Sequence, residues 1–250
     1  TASGMRPKAQ PNNTRKTVYP LAVIVRSLVA LERWDEAKDR LNETRFLGSL
    51  SILCFAFSIF RFVYTDTKVF LHLNWNLFLA FLPWLFSTIL IIYPRFQKNI
   101  PALLALVFSW LLFFPNALYI LTDLFHLQMD TTMPKWYDLM LILSFAWVGL
   151  LFGFMSLWDI EKIIGQWIRK DLMPLVSFGL LFLGSFGVYM GRYLRWNSWD
   201  IITEPFNIFY DISDRILNPF HHKGTWGMTL FMFIFMSMMY WSFRLIKKRS

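Results

Sequence analysis

Six stretches of the chain are continuously apolar, at residues 46–64, 75–93, 101–121, 139–158, 172–191 and 226–246, with polar connections between them. A helix rises about 1.5 Å per residue, so roughly 20 apolar residues cross a hydrocarbon layer of about 30 Å. None of the stretches alternates in period two, which argues against a membrane β-barrel and for helices that satisfy their own backbone. The pattern predicts an all-α fold, a polytopic bundle of six spanning helices over 46–250.

Two further segments have helical period without the length or apolarity to span. Leu21, Ile24, Leu28, Leu31, Trp34, Ala37 and Leu41 recur with Arg33, Glu36 and Arg40 between them, predicting an amphipathic surface helix over 21–45. The long connection 192–225 holds a second such run, Ile202, Phe206, Phe209, Ile212, Ile216 and Phe220, after a candidate cap at Thr203. Its polar face carries Asp211, Asp214 and Arg215 rather than a Lys/Arg-rich surface, so docking on the bundle is expected over free membrane binding. Residues 1–20 are expected to be a disordered leader, with 1–4 reading as a cloning remnant ahead of Met5. No cleavable signal peptide is expected, the first span serving as a signal anchor.

Charge orients the bundle. An even number of spans leaves both termini on one side, which also holds Arg26, Arg33, Lys38, Arg40, Arg45, Arg95, Lys98, Lys162, Arg169, Lys170, Arg244, Lys247, Lys248 and Arg249. The other side holds half as many, namely Arg61, Lys68, Lys135, Arg192, Arg195, Arg215 and Lys223. The excess of positive charge marks the cytoplasmic face, so both termini are expected inside. The net charge of +9 sits beside spans instead of in a soluble basic domain, which implies phospholipid head groups and no nucleic acid as the partner. A membrane-protein partner docking on the surface helices is a further expectation. The twelve Trp include Trp75, Trp136, Trp196, Trp199 and Trp226 near span ends, as in interfacial belts. Cys54 is the single cysteine, which excludes an intrachain disulfide and a thiolate metal cluster.

Sorting polar residues against this topology gathers the unusual ones on the outer side. At 3.6 residues per turn, Ser109, Asn116, Tyr119, Asp123 and His126 form one stripe along the third span. Pro115 frees the carbonyl of Leu111 within it, a break tolerated where other helices or water supply partners. Gly149, Gly153 and Ser156 on the fourth span, and Gly184, Gly187 and Gly191 on the fifth, permit close helix approach. If the fifth helix continues past Gly191, Arg195 falls on the same packed face.

All four histidines, His72, His126, His221 and His222, map to the outer side. Asp123 and His126, three apart, are weak candidates for metal ligation, and no metal or other cofactor is assigned, since no ligand signature such as His-Glu-x-x-His is present. Asp123, His126, Asp138 and Asp200 are the candidate acid–base residues. Arg192 and Arg195, with Asn116 and Asn197, are the candidate ligand-binding groups, because two guanidinium groups three apart can hold a phosphate or carboxylate. The plainer reading of the arginines is snorkelling plus salt bridges to Asp138 or Asp123.

The runs 111–127 (LLFFPNALYILTDLFHL), 136–144 (WYDLMLILS) and 187–200 (GVYMGRYLRWNSWD) resemble the bacterial membrane-protein family DUF1361, a domain of unknown function. The resemblance covers the second through sixth spans. It implies a multi-pass protein of the bacterial cytoplasmic membrane, and brings no reaction, cofactor or catalytic residue with it.

Three functions fit these residues. The first is an outward-facing polar cleft that binds a lipid head group or a partner protein in envelope assembly or maintenance. The second is an enzyme on a lipid or lipid-linked substrate, with Asp123 or His126 as general base and Arg192 or Arg195 as phosphate clamp. A transporter is third, because the polar stripe does not continue to the inner face.

Overall fold

A computed structural model of the chain describes the backbone of residues 21–128 and 132–249, and the side chains of 37–127 and 132–246. The expected leader and the side chains of the amphipathic segment up to residue 36 lie outside the described residues. The chain divides into two units, and everything that follows concerns the second, Arg40–Ser250, except where helix α1 is named whole.

Helix α1 (Leu21–Thr65) contains the first spanning segment, Ala37–Thr65. No proline interrupts 21–65, so the backbone stays helical across residue 45, where the hydrophobic pattern changes. Helix α2 (His72–Ile92) leads through the short α3 (Pro94–Lys98) into α4 (Ile100–Tyr119). The side chain of Asn99 caps α4 by accepting from the Ala102 N–H, with Pro101 at the tolerated first turn. At Ile120 the winding tightens into a 3-10 helix, Ile120–Gln128. Helix α5 (Lys135–Ile164), a short 3-10 turn (Lys170–Leu172) and α6 (Met173–Tyr193) follow. The long connection folds into α7 (Asp200–Thr203) and α8 (Pro205–Leu217), and α9 (Lys223–Arg249) closes the bundle.

The fold is therefore all-α, and among the described residues six helical segments are long and apolar enough to cross a membrane. Each coincides with an apolar stretch of the sequence. Most observed ends lie a few residues farther out, because Lys, Glu and Arg are good enough helix formers to extend a helix past its apolar core.

Helix α5 is the most buried, and α4 packs against α2, α5 and α6. Glycines make that approach close. A Cβ on Gly149 would stand 2.8 Å from Ile120, one on Gly153 3.0 Å from Ala117, and one on Gly184 2.8 Å from Phe114. A Cβ on Gly187 would collide with the ring of Pro115. Helix α4 is thus held between two glycine faces, which lets its proline and aromatic side chains fill the space that larger residues on α5 and α6 would occupy. Trp110, fully buried among them, gives its indole N–H to Ser156 Oγ at 3.0 Å.

Helix α1 is tied to α5 by two buried ion pairs, Arg40 with Asp159 and Arg61 with Asp138. Arg244 on α9 similarly meets the buried Glu161 of α5, which also accepts from Tyr240 and Ser177. Charges so far from water persist only when paired and hydrogen-bonded.

Candidate functional site

The third and fifth spans end side by side. In the 3-10 segment three residues make a turn, so residues three apart eclipse one another and Asp123 stands directly beneath His126. Asp123 Oδ1 and His126 Nδ1 are 3.6 Å apart. From α6, Arg192 reaches across: Nη1 donates to Asp123 Oδ1 at 3.2 Å and to the Tyr119 hydroxyl at 3.2 Å. Its Nη2 lies 3.1 Å from His126 Nδ1. The same Nη2 is 3.5 Å from His126 Nε2, so the guanidinium lies against the face of the imidazole. Arg192 sits in the last turn of α6, where the helix dipole favours a cation.

Helix α2 supplies the other wall. His72 and Asn76 are one turn apart on it and face Asp123, Asn76 Nδ2 donating to Oδ2 at 2.9 Å and His72 Nε2 lying 3.8 Å from Oδ1. Asp123 itself is 1 % exposed, so this carboxylate survives burial through Arg192 and Asn76. His72 and His126 approach edge-on, with ring centroids 5.5 Å apart. Together with Arg195 and Asn197 these side chains line a cavity of about 580 Å³.

Helix α6 does not continue to Arg195. It ends at Tyr193, the N–H groups of Leu194 and Trp196 both donate to the Met190 carbonyl, and Arg195 takes φ 60° between them. Glycine is the usual residue at such a left-handed helix end, and a side chain there costs about 1–2 kcal/mol. The turn brings Arg195 to the cavity wall as an exposed residue, off the packed helix face that continued winding would give it.

Asn116 lies on the other side of Tyr119, giving its amide to Ser198 Oγ at 2.9 Å, while Ser198 donates to the Leu112 carbonyl at 3.0 Å. The connection after α6 thereby supplies polar groups at the Pro115 break. Asn116 lines a second, mainly apolar groove of about 280 Å³ between α4 and α6, roofed by Ile208 and Ile212 of α8. Tyr119, Gly191 and Asn197 belong to both this groove and the polar cavity.

Two candidates take local roles. Asp138 is held by Arg61, Nε to Oδ1 at 2.6 Å and Nη2 to Oδ2 at 3.2 Å. Asp200 accepts from the backbone N–H of Asn197 at 2.6 Å and from its side chain at 3.2 Å, closing the turn before α7. The histidines divide as well. His222 pairs with Asp214 at 2.7 Å at the far end of α8, where the Asn218 amide, and after it His222, holds the Asp214 carboxyl below its ordinary range. Glu204, not Thr203, occupies the N-cap position of α8. His72 and Asn76 are the site residues that the sequence reading did not assign, and a polar pair one turn apart at the start of a span was the available signal.

These elements define a multi-pass helical membrane protein with a cluster of ionisable side chains at one end of its bundle. Residues 75–239 match the family model described as "Protein of unknown function (DUF1361)", and the chain belongs to that family. No curated protein and no solved structure matches the chain.

Proposed function

We propose that this end of the bundle binds an amphiphile with an anionic head group, of the phospholipid class, at the outer face of the bacterial cytoplasmic membrane. Both chain termini then lie on the cytoplasmic side, and the protein serves envelope assembly or maintenance. The observation that carries the reading is the shared wall: a polar cavity beside Arg192 and Arg195 has Tyr119, Gly191 and Asn197 in common with an apolar groove along α4 and α6. A head group fits the first and an acyl chain the second. Arg195 has no ion pair or hydrogen bond among the described residues, so its guanidinium is available to an incoming anion, while Asp123 orients Arg192 beside it.

A general-base role for Asp123 is less well supported. Both of its oxygens already accept hydrogen bonds, from Arg192 and Asn76, which suits positioning a guanidinium better than taking a proton.

Native mass spectrometry of the protein from nanodiscs containing equal phosphatidylglycerol and phosphatidylcholine tests the proposal. Retention of the anionic lipid over the zwitterionic one is expected, with Arg195→Gly lowering that preference about tenfold or more, since a charge-assisted hydrogen bond contributes about 1.5–3 kcal/mol. Equal retention of both lipids, or a preference that survives the loss of both Arg195 and Arg192, would overturn it.

A further inference from the structure

We infer that His72, Asp123 and His126 form a binding site for one divalent transition-metal ion of the zinc class. The ligand atoms of the three residues lie within 4.8 Å of one another, with His72 and His126 at 3.8 and 3.6 Å from the same oxygen of Asp123. With metal–nitrogen and metal–oxygen bonds of about 2.0–2.2 Å, ligand atoms of a tetrahedral ion stand about 3.4 Å apart. A contraction of a few tenths of an ångström at Asp123, and of at most about 1.4 Å between the imidazoles, closes the set. Two imidazoles and one carboxylate are ligands of borderline softness, suited to zinc, manganese or iron(II) and poorly to magnesium or calcium, which prefer all-oxygen shells.

Three features distinguish this set from an accidental cluster. One oxygen of Asp123, Oδ1, faces ring nitrogens of both His72 and His126, at 3.8 and 3.6 Å. Asn76 holds the second oxygen of Asp123 from behind, the outer hydrogen bond that fixes a ligating carboxylate. The remaining face opens on the cavity of about 580 Å³, so the fourth coordination position is reachable from outside.

Arg192 stands beside the place where the ion would bind, and it competes for Asp123 Oδ1. Metal entry therefore requires its guanidinium to swing toward the cavity, where Tyr119 and an exogenous anion remain to receive it. The charges agree with this. One carboxylate, one guanidinium and a divalent ion leave an excess of two positive charges, which an anionic fourth ligand reduces.

The protein, stripped with a chelator and reconstituted in nanodiscs, is titrated with Zn2+ and, in parallel, Mg2+. One Zn2+ per chain and no Mg2+ is expected. His72→Ala, at a side chain 45 % exposed and outside the packed core, should weaken Zn2+ binding by more than the 10–100-fold typical of outer-sphere changes, whereas His72→Cys, which keeps a ligand, should retain it. Arg192→Gln should tighten it by removing the competing cation. No stoichiometric Zn2+ in the wild-type protein, or binding indifferent to both His72→Ala and Arg192→Gln, overturns the site. The nanodiscs for the metal titration hold phosphatidylcholine alone, with no anionic lipid, so a negative result leaves the head-group proposal standing, and loss of lipid preference leaves this one standing.

Discussion

Arg61 grips Asp138 through two parallel hydrogen bonds, with both side chains at most 3 % exposed. The pair has a twin. Arg40 meets Asp159, and the two arginines are 21 residues apart on α1 just as the two aspartates are on α5. Twenty-one residues of helix span about 32 Å, close to the hydrocarbon thickness of a bilayer. The antiparallel helices α1 and α5 are therefore clasped once near each membrane surface, and Asp138 is committed to that clasp rather than to chemistry. Arg61 also donates to the Val69 carbonyl and lies over the Phe70 ring, so the clasp fixes the turn that delivers His72.

Removing one member should cost more than removing both. Arg61→Leu leaves a buried carboxylate without its main partner, an effect of about 3–5 kcal/mol, whereas Arg61→Leu with Asp138→Leu replaces the pair by apolar contact at little cost. Thermal unfolding in detergent micelles checks this: a large drop for the single variant should be mostly recovered in the double one. A double variant as unstable as the single would mean that the pair is not the source of the loss.

Gly187 sets how closely α6 approaches α4. A Cβ there meets Pro115, so Gly187→Val should destabilise the bundle by about 1–3 kcal/mol, and by parting α4 from α6 it should weaken anionic-lipid retention as well. Gly179, on the same helix, has nothing within 4 Å of an added Cβ. Gly179→Val should be silent in both unfolding and lipid measurements, apart from the small propensity term.

At Arg195 stability and binding should move in opposite directions. Its left-handed backbone suits glycine, so Arg195→Gly should leave the unfolding temperature unchanged or raise it, while removing the unpaired guanidinium from the cavity. A variant that is both destabilised and unimpaired in lipid retention would show Arg195 to be a structural residue.

The spans were legible because a continuous apolar run of about 20 residues has no other stable home. Asn116, Asp123, His126 and Arg192 were legible for a related reason: polar groups on a spanning helix need partners, and a helical stripe says that those partners share a side. The partners themselves depend on register between helices, which no single segment encodes. Arg61 with Asp138 requires the antiparallel setting of α1 on α5, and His72 with Asp123 requires α2 beside the end of α4. The change to 3-10 winding at Ile120 and the left-handed residue at Arg195 were hidden likewise, since each follows from how a helix end packs. The surface helix was read correctly as an element but only partly as a surface. Ile208 and Ile212 dock on the groove as its polar face suggested, yet Phe206, Phe209 and Tyr210 stay exposed by 70 % or more.

Orientation decides which compartment supplies the ligand, and the chain's own cysteine makes it easy to measure. Cys54 is 2 % exposed inside a spanning segment and should not react with a membrane-impermeant maleimide, so introduced cysteines report alone. The connection between α2 and α4 carries Arg95 and Lys98, and Lys162, Arg169 and Lys170 lie at or beside that between α5 and α6, so the proposed orientation puts both on the cytoplasmic side. Thr132, on the connection from the 3-10 segment to α5, lies at the other end of these helices, the end that bears Asp123 and Arg192. In intact cells Thr132→Cys should label at once, while Lys98→Cys should label only after permeabilisation. The reverse pattern would place Arg192 and Arg195 on the cytoplasmic face, and the bound amphiphile would then have to come from the inner leaflet.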